Sequence, residues 1–318
     1  MDFLLIAVGL VILLLAGDAL VRGAVNLSLR LGVPALVVSL TIVAFGTSAP
    51  ELLIAVSAIL DGVPGLAMGN VVGSNTANIL LVLGLPAIIA GLHTSAHDTR
   101  TSYFQMIGAT ALFVLLAYTG PFTWAKGLIL LIALGAMLAQ TLAKANRQKK
   151  AAKAAALAEP EEAVEGADPD MAGWKIALFL VIGLVGLPLG AELLVSASTN
   201  VAREFGVSEE VIGLTLVALG TSLPELATTV MAAIRRQADV ALGNVIGSNM
   251  FNLLAIIGLA SFIGPIPVDP KMLHVDIWVM AGSSLMLGYF VLRRCDLTRV
   301  WGIGLVGLYV VYIGSVFI

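Results

Sequence analysis

Charge is scarce in this chain. Asp, Glu, Lys and Arg make up 12% of its 318 residues, against about 25% in an ordinary soluble domain, and the mean hydropathy is +1.02. Those values exclude a soluble globular domain. Cysteine is nearly absent too. Cys295 stands alone, so no intrachain disulfide can form and thiol redox chemistry lacks a second partner. The net charge of -3 is too small to imply a nucleic-acid partner. The N-terminus, MDFLLIAVGLVILLLAGDAL, has no basic n-region, so it reads as a first transmembrane helix rather than a cleaved signal peptide.

What the chain does have is apolar sequence, 59% of its residues, in runs long enough to cross a bilayer. Ten spans are expected, at about 3–28, 34–60, 65–91, 103–119, 124–144, 173–202, 209–234, 240–264, 275–292 and 300–317. Basic residues orient them. With the N-terminus outside, the inner ends hold Arg22, Arg30, Arg100, Lys144, Arg147, Lys149, Lys150, Lys153, Lys175, Arg235, Arg236, Arg293, Arg294 and Arg299. Only Lys126, Arg203 and Lys271 fall outside. Both termini are therefore expected to face out, in an inner (cell) membrane. Residues 147–172 turn from basic to acidic and contain nothing to build a core, which reads as a flexible cytoplasmic linker with room for a short helix in its Ala/Lys portion.

The chain repeats itself. An offset of 174 aligns Thr41–Gly84 with Thr215–Gly258 without a gap, and 21 of those 44 positions are identical. Each half then holds five spans, and an odd number inserts the second copy upside down. The expected fold is an all-α polytopic membrane protein, ten transmembrane helices as two inverted five-helix repeats: 1–146, the linker 147–172, and 173–318. Inverted repeats with interrupted helices at matching places are the architecture of secondary transporters.

Within the repeat, GTSAPEL (Gly46–Leu52) matches GTSLPEL (Gly220–Leu226). Pro50 and Pro224 cannot donate to Gly46 and Gly220, so each helix loosens there, which in a bilayer is tolerated only beside protein or a polar cavity. Thr47, Ser48 and Glu51 share a helical face, as do Thr221, Ser222 and Glu225. The next span adds GNVVGSNTAN (Gly69–Asn78) and GNVIGSNMFN (Gly243–Asn252), with Ser74 and Asn78, and Ser248 and Asn252, one turn apart. Gly69, Gly73, Gly243 and Gly247 permit close helix approach. Two carboxylates, hydroxyls and amide oxygens, with no His, Cys or Lys, describe a site for a hard cation, calcium before magnesium, and not for zinc or copper. Intramembrane acids are costly and functional by default. The blander reading, Ser and Thr bonding back to their own helix beside an architectural kink, suits either motif alone but not a matched pair in inverted halves.

These paired motifs resemble the two alpha repeats of the sodium/calcium exchangers, in the cation/calcium antiporter superfamily, and the compact prokaryotic members above all. The resemblance covers the whole transmembrane chain. It implies one calcium site with adjacent sodium sites, built from Thr47, Ser48, Glu51, Ser74 and Asn78 and from Thr221, Ser222, Glu225, Ser248 and Asn252, with the carbonyls of Ala44 and Ala218 completing the sodium sites. Some family members carry an aspartate at one of the two last positions, whereas Asn78 and Asn252 are both amides. The implied activity is sodium/calcium exchange by alternating access, with spans one and six moving. The substrates are Ca2+ and Na+, no cofactor is called for, and a monomer suffices.

The alternative is a proton/calcium exchanger, since a buried carboxylate can also take a proton. A channel fits inverted repeats and a closed charged site less well. An intramembrane serine hydrolase at Ser48 or Ser222 would need a base, and no His or Lys lies beside them. Among lesser candidates, Asp18 is one turn from Arg22 and reads as an ion pair, while its counterpart Glu192 meets solvent or a neighbouring helix. His93 and His97 read as a solvated loop, and Asp168 and Asp170 lack the rest of a calcium loop.

Overall fold

Segments that cross a bilayer must satisfy their own backbone groups, and long apolar runs do so as helices. The computed structural model describes residues 1–94, 99–155, 168, 170–206 and 218–316. Its elements are helical: α1 (Asp2–Leu31), α2 (Ala35–Val38), α3 (Ala44–Thr47), α4 (Ala49–Leu60), α5 (Pro64–Ala77), α6 (Gly84–Ile89), α7 (Arg100–Tyr118), α8 (Trp124–Ala155), α9 (Gly173–Glu204), α10 (Ala218–Thr221), α11 (Leu223–Ile234), α12 (Ala238–Met250), α13 (Ile257–Ala260), α14 (Ile277–Arg293) and α15 (Arg299–Val316). Wider π turns at Ser39–Val43, Asn78–Val82, Phe251–Ile256 and Met272–Asp276 join several of these into longer rods.

By length and composition, 7 helices among the described residues can cross a membrane, or 8 if the bent pair Ala35–Thr47 and Ala49–Leu60 is one span. The other two expected spans correspond to shorter apolar helices, Leu223–Ile234 and Arg299–Ser315. Residues 209–217 of the expected seventh span, and the last residues of the tenth, lie outside the described residues. Helix α8 continues to Ala155, into the basic start of the expected linker. Residues 156–167 and 169 of that linker are not among those described. Its end docks back on α1, where the Asp168 N–H donates to Asn26 Oδ1 at 2.8 Å.

The two segments that hold the GN-x-x-GSN sequence form the centre. In Ala238–Ala260 the whole apolar window is buried, and in Pro64–Ile89 72% of it is, against 22% in the outlying helices Trp124–Arg147 and Gly173–Glu204. One apolar cluster surrounds that centre. A second, smaller cluster joins Leu13, Ala16, Leu20 and Ala24 of α1 to Leu187 and Ala191 of α9, with Val38, Val43 and Ala227 at its edge. Helices α1 and α9 pack along most of their length, because small residues let the backbones meet. A Cβ on Gly183 would lie 2.5 Å from Leu20 Cβ, and one on Gly190 would lie 3.0 Å from the Leu13 nitrogen. Helix α1 ends at Gly32, whose φ of 64° is natural for glycine.

Two isolated bridges tie the loops together. Leu92 pairs with Leu297 through two backbone hydrogen bonds of 3.0 Å, and Phe122 pairs with Ile266 through bonds of 2.8 and 2.9 Å. Leu92 precedes α7 and Phe122 follows it. The Asp18–Arg22 ion pair forms at 2.9 Å, and Asp18 also accepts from Arg235 at the end of α11. Glu192 is exposed. His93 is exposed and its Nδ1 lies 3.1 Å from Asp296 Oδ2, while His97 is outside the described residues.

The α1–α9 seam makes a direct demand. Gly183→Val overpacks it and is expected to cost roughly 1–3 kcal/mol, lowering the thermal unfolding midpoint of the purified protein. Gly135→Ala on α8, where an added methyl meets nothing within 4 Å, leaves the midpoint unchanged. Equal midpoints for Gly183→Val and the parent would show the seam is not close-packed.

Candidate ion site at two broken helices

The proline motifs break their helices at the same register. Helix α3 ends at Thr47, Ser48 takes φ −85° and ψ 5°, and α4 starts at Ala49 with Pro50 in its first turn. Helix α10 ends at Thr221, Ser222 takes φ −89° and ψ 3°, and α11 starts at Leu223 with Pro224 in its first turn. The first break bends the rod by 40°. Proline favours a first turn, where its missing N–H is not needed, so each Glu falls in the first turn of the new helix, where the exposed N–H groups favour negative charge. The freed carbonyl is not left idle on the first side: cap N–H groups reach Ala44 and Gly46. The Ala44 carbonyl accepts from the Ser48 N–H at 3.1 Å, and Thr47 Oγ1 lies 3.3 Å from it. Ala218 opens α10 at the matching position.

Both carboxyl groups are buried, Glu51 at 1% exposure and Glu225 at 0%. Ser48 Oγ crosses from the first half to donate to Glu225 Oε1 at 3.1 Å, and Ser248 Oγ donates to the same oxygen at 3.4 Å. Thr47 Oγ1 lies 3.1 Å from Asn244 Oδ1 and 3.4 Å from Ser248 Oγ. Thr221 Oγ1 donates to Asn70 Oδ1 at 3.4 Å. Asn78 Nδ2 donates to Asn249 Oδ1 at 3.0 Å. Asn75 and Asn249 donate to each other's backbone carbonyls, at 3.2 and 3.4 Å. One connected group of buried polar side chains therefore joins Thr47, Ser48, Glu225 and Ser248.

Other expected residues are buried beside them with oxygens that have no hydrogen-bond partner among the described residues: both of Glu51, one of Glu225, and those of Asn78, Ser222 and Asn252. Buried polar atoms normally find partners, so this concentration of free oxygen lone pairs is itself the chemical signature of the site. Ser74 is buried as well. Asn78 and Asn252 sit in the matching π turns, a geometry that recurs at functional sites. Gly243 and Gly247 do allow close approach: added Cβ atoms would lie 2.8 Å from Ser39 Cβ and 2.5 Å from Ala44 Cβ. For Gly69 and Gly73 the corresponding partner segment falls almost wholly outside the described residues. The donors are all oxygens, and among the described residues no three His, Cys, Asp or Glu gather into a metal-binding group. Two carboxylates plus neutral hydroxyls and amides suit a hard cation.

Sequence reasoning did not single out Asn70, Asn75, Asn244 and Asn249. All four stand inside the quoted GN-x-x-GSN segments, and their recurrence at the 174 offset was the signal available.

An all-helical membrane protein whose broken helices carry buried acids among free oxygen donors is a secondary transporter for cations. The chain belongs to the sodium/calcium exchanger protein family, whose sequence model matches residues 1–142 and 175–318. It is 34% identical over 295 residues to the putative antiporter CaxA of Alkalimonas amylolytica, covering 93% of this chain and 91% of that one. With the sodium/calcium exchanger MaX1 of Methanosarcina acetivorans it shares 30% over 351 residues, covering 99% and 98%. A solved structure of the sodium-calcium exchanger NCX_Mj, soaked with Na+ and Sr2+, matches with TM-score 0.83 and 31% identity over 98% of this chain and 97% of that one. The protein is thus a cation/calcium antiporter and not an enzyme, from a family in which no cofactor is indicated.

The hydrogen bonds predict an asymmetry between the matched serines. Ser48→Ala removes a donor from a buried carboxylate and is expected to destabilise the ion-free protein by about 1.5–3 kcal/mol. Ser222→Ala removes a hydroxyl oxygen that accepts nothing and leaves the unfolding midpoint unchanged or slightly raised. Equal effects in thermal unfolding would contradict this arrangement.

Proposed function

We propose that this chain exchanges sodium for calcium across an inner membrane by alternating access, with Glu51 and Glu225 jointly holding the calcium ion. The observation that carries the reading is the pair of buried glutamates from the two halves, with Ser48 of one half donating to the glutamate of the other. Thr47, Thr221, Ser48, Ser222, Ser74, Ser248, Asn78 and Asn252 supply the neutral oxygens, and the carbonyls of Ala44 and Ala218 complete sodium sites. Their oxygen-only chemistry supports calcium and sodium as substrates, and the relatives named as sodium/calcium exchangers support it further.

The proposed architecture is ten spans in two inverted five-helix repeats, acting as a monomer, with termini outside and the 147–172 linker cytoplasmic. The bridges support the inversion. An offset of 174 carries Leu92 onto Ile266, and one residue more carries Phe122 onto Leu297, so the two bridges exchange places under the repeat. They lie near opposite ends of α7, and a rotation that swaps opposite ends turns one half upside down relative to the other.

Obligatory exchange follows from charge. With both glutamates ionised the ion-free site carries about −2, which is costly to carry past a low-dielectric barrier. One calcium, or two to three sodium ions, brings the crossing form near neutrality. Three sodium per calcium moves one net charge per cycle, worth about 2.3 kcal/mol per 100 mV, so an inside-negative potential favours calcium export. The moving unit is proposed to be α1 with α9, whose own apolar cluster supports motion as one body.

In proteoliposomes, a sodium gradient with the pH gradient collapsed is expected to drive calcium-45 uptake, and Glu51→Gln or Glu225→Gln to abolish it. Near-normal uptake in either variant rules the two-glutamate site out. Uptake that follows a pH gradient without sodium replaces the reading with proton/calcium exchange.

A further inference from the structure

A threonine hydroxyl has one hydrogen and two lone pairs, so it serves a cation only when its hydrogen is engaged elsewhere. For Thr47, Asn244 Oδ1 at 3.1 Å is closer than the Ala44 carbonyl at 3.3 Å or the Ser248 hydroxyl at 3.4 Å, and the Glu225 carboxylate that also faces this hydroxyl already accepts from Ser48 and Ser248. The Asn244 amide has only one workable orientation. Its Nδ2 donates to the backbone carbonyl of Glu225 at 3.3 Å and to Thr229 Oγ1 at 3.2 Å. A carbonyl only accepts, so the amide oxygen must face Thr47. Asn244 and Thr229 are both fully buried. The relation recurs with the halves exchanged, where Thr221 Oγ1 donates to Asn70 Oδ1 at 3.4 Å.

We propose that Asn244 and Asn70, the asparagines that open each GN-x-x-GSN segment, are positioning residues. Each takes the hydrogen of a threonine from the opposite half and so turns that hydroxyl's lone pairs toward the cation. The assignment rests on the ion-site reading above. Its two arms are braced unequally. Thr229, which accepts from Asn244, is matched at the 174 offset by Ala55, which has no side-chain acceptor. Among the described residues Asn70 Nδ2 accordingly finds no partner. The Asn244–Thr47 arm is the stiffer one, and its loss weakens ion binding more than loss of the Asn70–Thr221 arm.

The test is a double-mutant cycle on the full-length protein in detergent, with Ca2+ alone titrated calorimetrically in sodium-free buffer. Asn244→Ala is expected to weaken calcium binding about tenfold, as loss of a group that orients a metal ligand does. Thr47→Val should do the same. The double variant should lose no more than the weaker-binding single variant, because both changes remove one interaction. Thr229→Ala trims only the brace; it should weaken binding about threefold, within the range of one hydrogen bond, and have no effect in the Thr47→Val background. This smaller change decides the matter if Asn244→Ala does not fold. Losses that multiply in either double variant overturn the assignment, as does parental affinity in Asn244→Ala or Thr47→Val. Parental calcium affinity in Glu51→Gln overturns the ion-site reading itself, whatever the asparagine variants do.

Discussion

Two carboxyl groups sit where water does not reach, and the rest of the molecule is arranged around that cost. An acid in a low-dielectric interior is tolerable only with hydrogen-bond donors or a counter-charge at hand. Ser48 and Ser248 supply donors to one oxygen of Glu225, while among the described residues neither oxygen of Glu51 has a hydrogen-bond partner. The site is therefore underfilled with protein donors, the condition a cation carrier needs and a structural core avoids. Breaking the helices at Ser48 and Ser222 starts a new helix just before each acid, so the partial positive charge of fresh helix N-termini also falls beside them.

The packing distinguishes a buried centre from a helix pair at its side. Helices α5 and α12 lie at the buried centre and carry the amides and serines. Helices α1 and α9 are joined to each other by a close seam and a second cluster that also takes in Val38, Val43 and Ala227. The two parts also touch, with Gly17 of α1 against Ala227 and Met231 of α11. The first glycine of each GTS motif abuts α9, at Leu184 and at Val195, and Asp18 of α1 pairs with Arg235 at the end of the helix that bears Glu225. A displacement of the α1–α9 pair would thus be felt directly at both broken helices.

Much of this was legible in the residues. Among the described residues hydropathy located the helix ends to within a few positions, the end of α8 apart, because the length of an apolar run is imposed by the bilayer. The duplicated GTS-x-PEL and GN-x-x-GSN segments marked the site, because polar residues in such a background need a reason. The π turns at Asn78 and at Phe251–Ile256 left no trace in composition. The extension of α8 through Ala155 was visible only as an Ala/Lys-rich stretch that a linker could equally have contained. Asn70, Asn75, Asn244 and Asn249 were in plain view but indistinguishable from helix-packing residues, since their roles depend on partners more than a hundred residues away.

By itself, then, the sequence determined that this is a helical membrane protein, that it is duplicated, and that two matched sets of oxygen-bearing side chains recur at one offset. Those properties depend on local chemistry and on identity along the chain. Tertiary structure alone decided which half serves which. Ser48 belongs to Glu225, Thr47 to Asn244, and Asn78 to Asn249. The near-symmetry of the sequence is also broken in these contacts: hydroxyls donate to Glu225, while among the described residues Glu51 has no such partner. The physical reason is that hydrogen bonds are directional and short-ranged, so they follow the meeting of helices in space, which no one-dimensional pattern encodes.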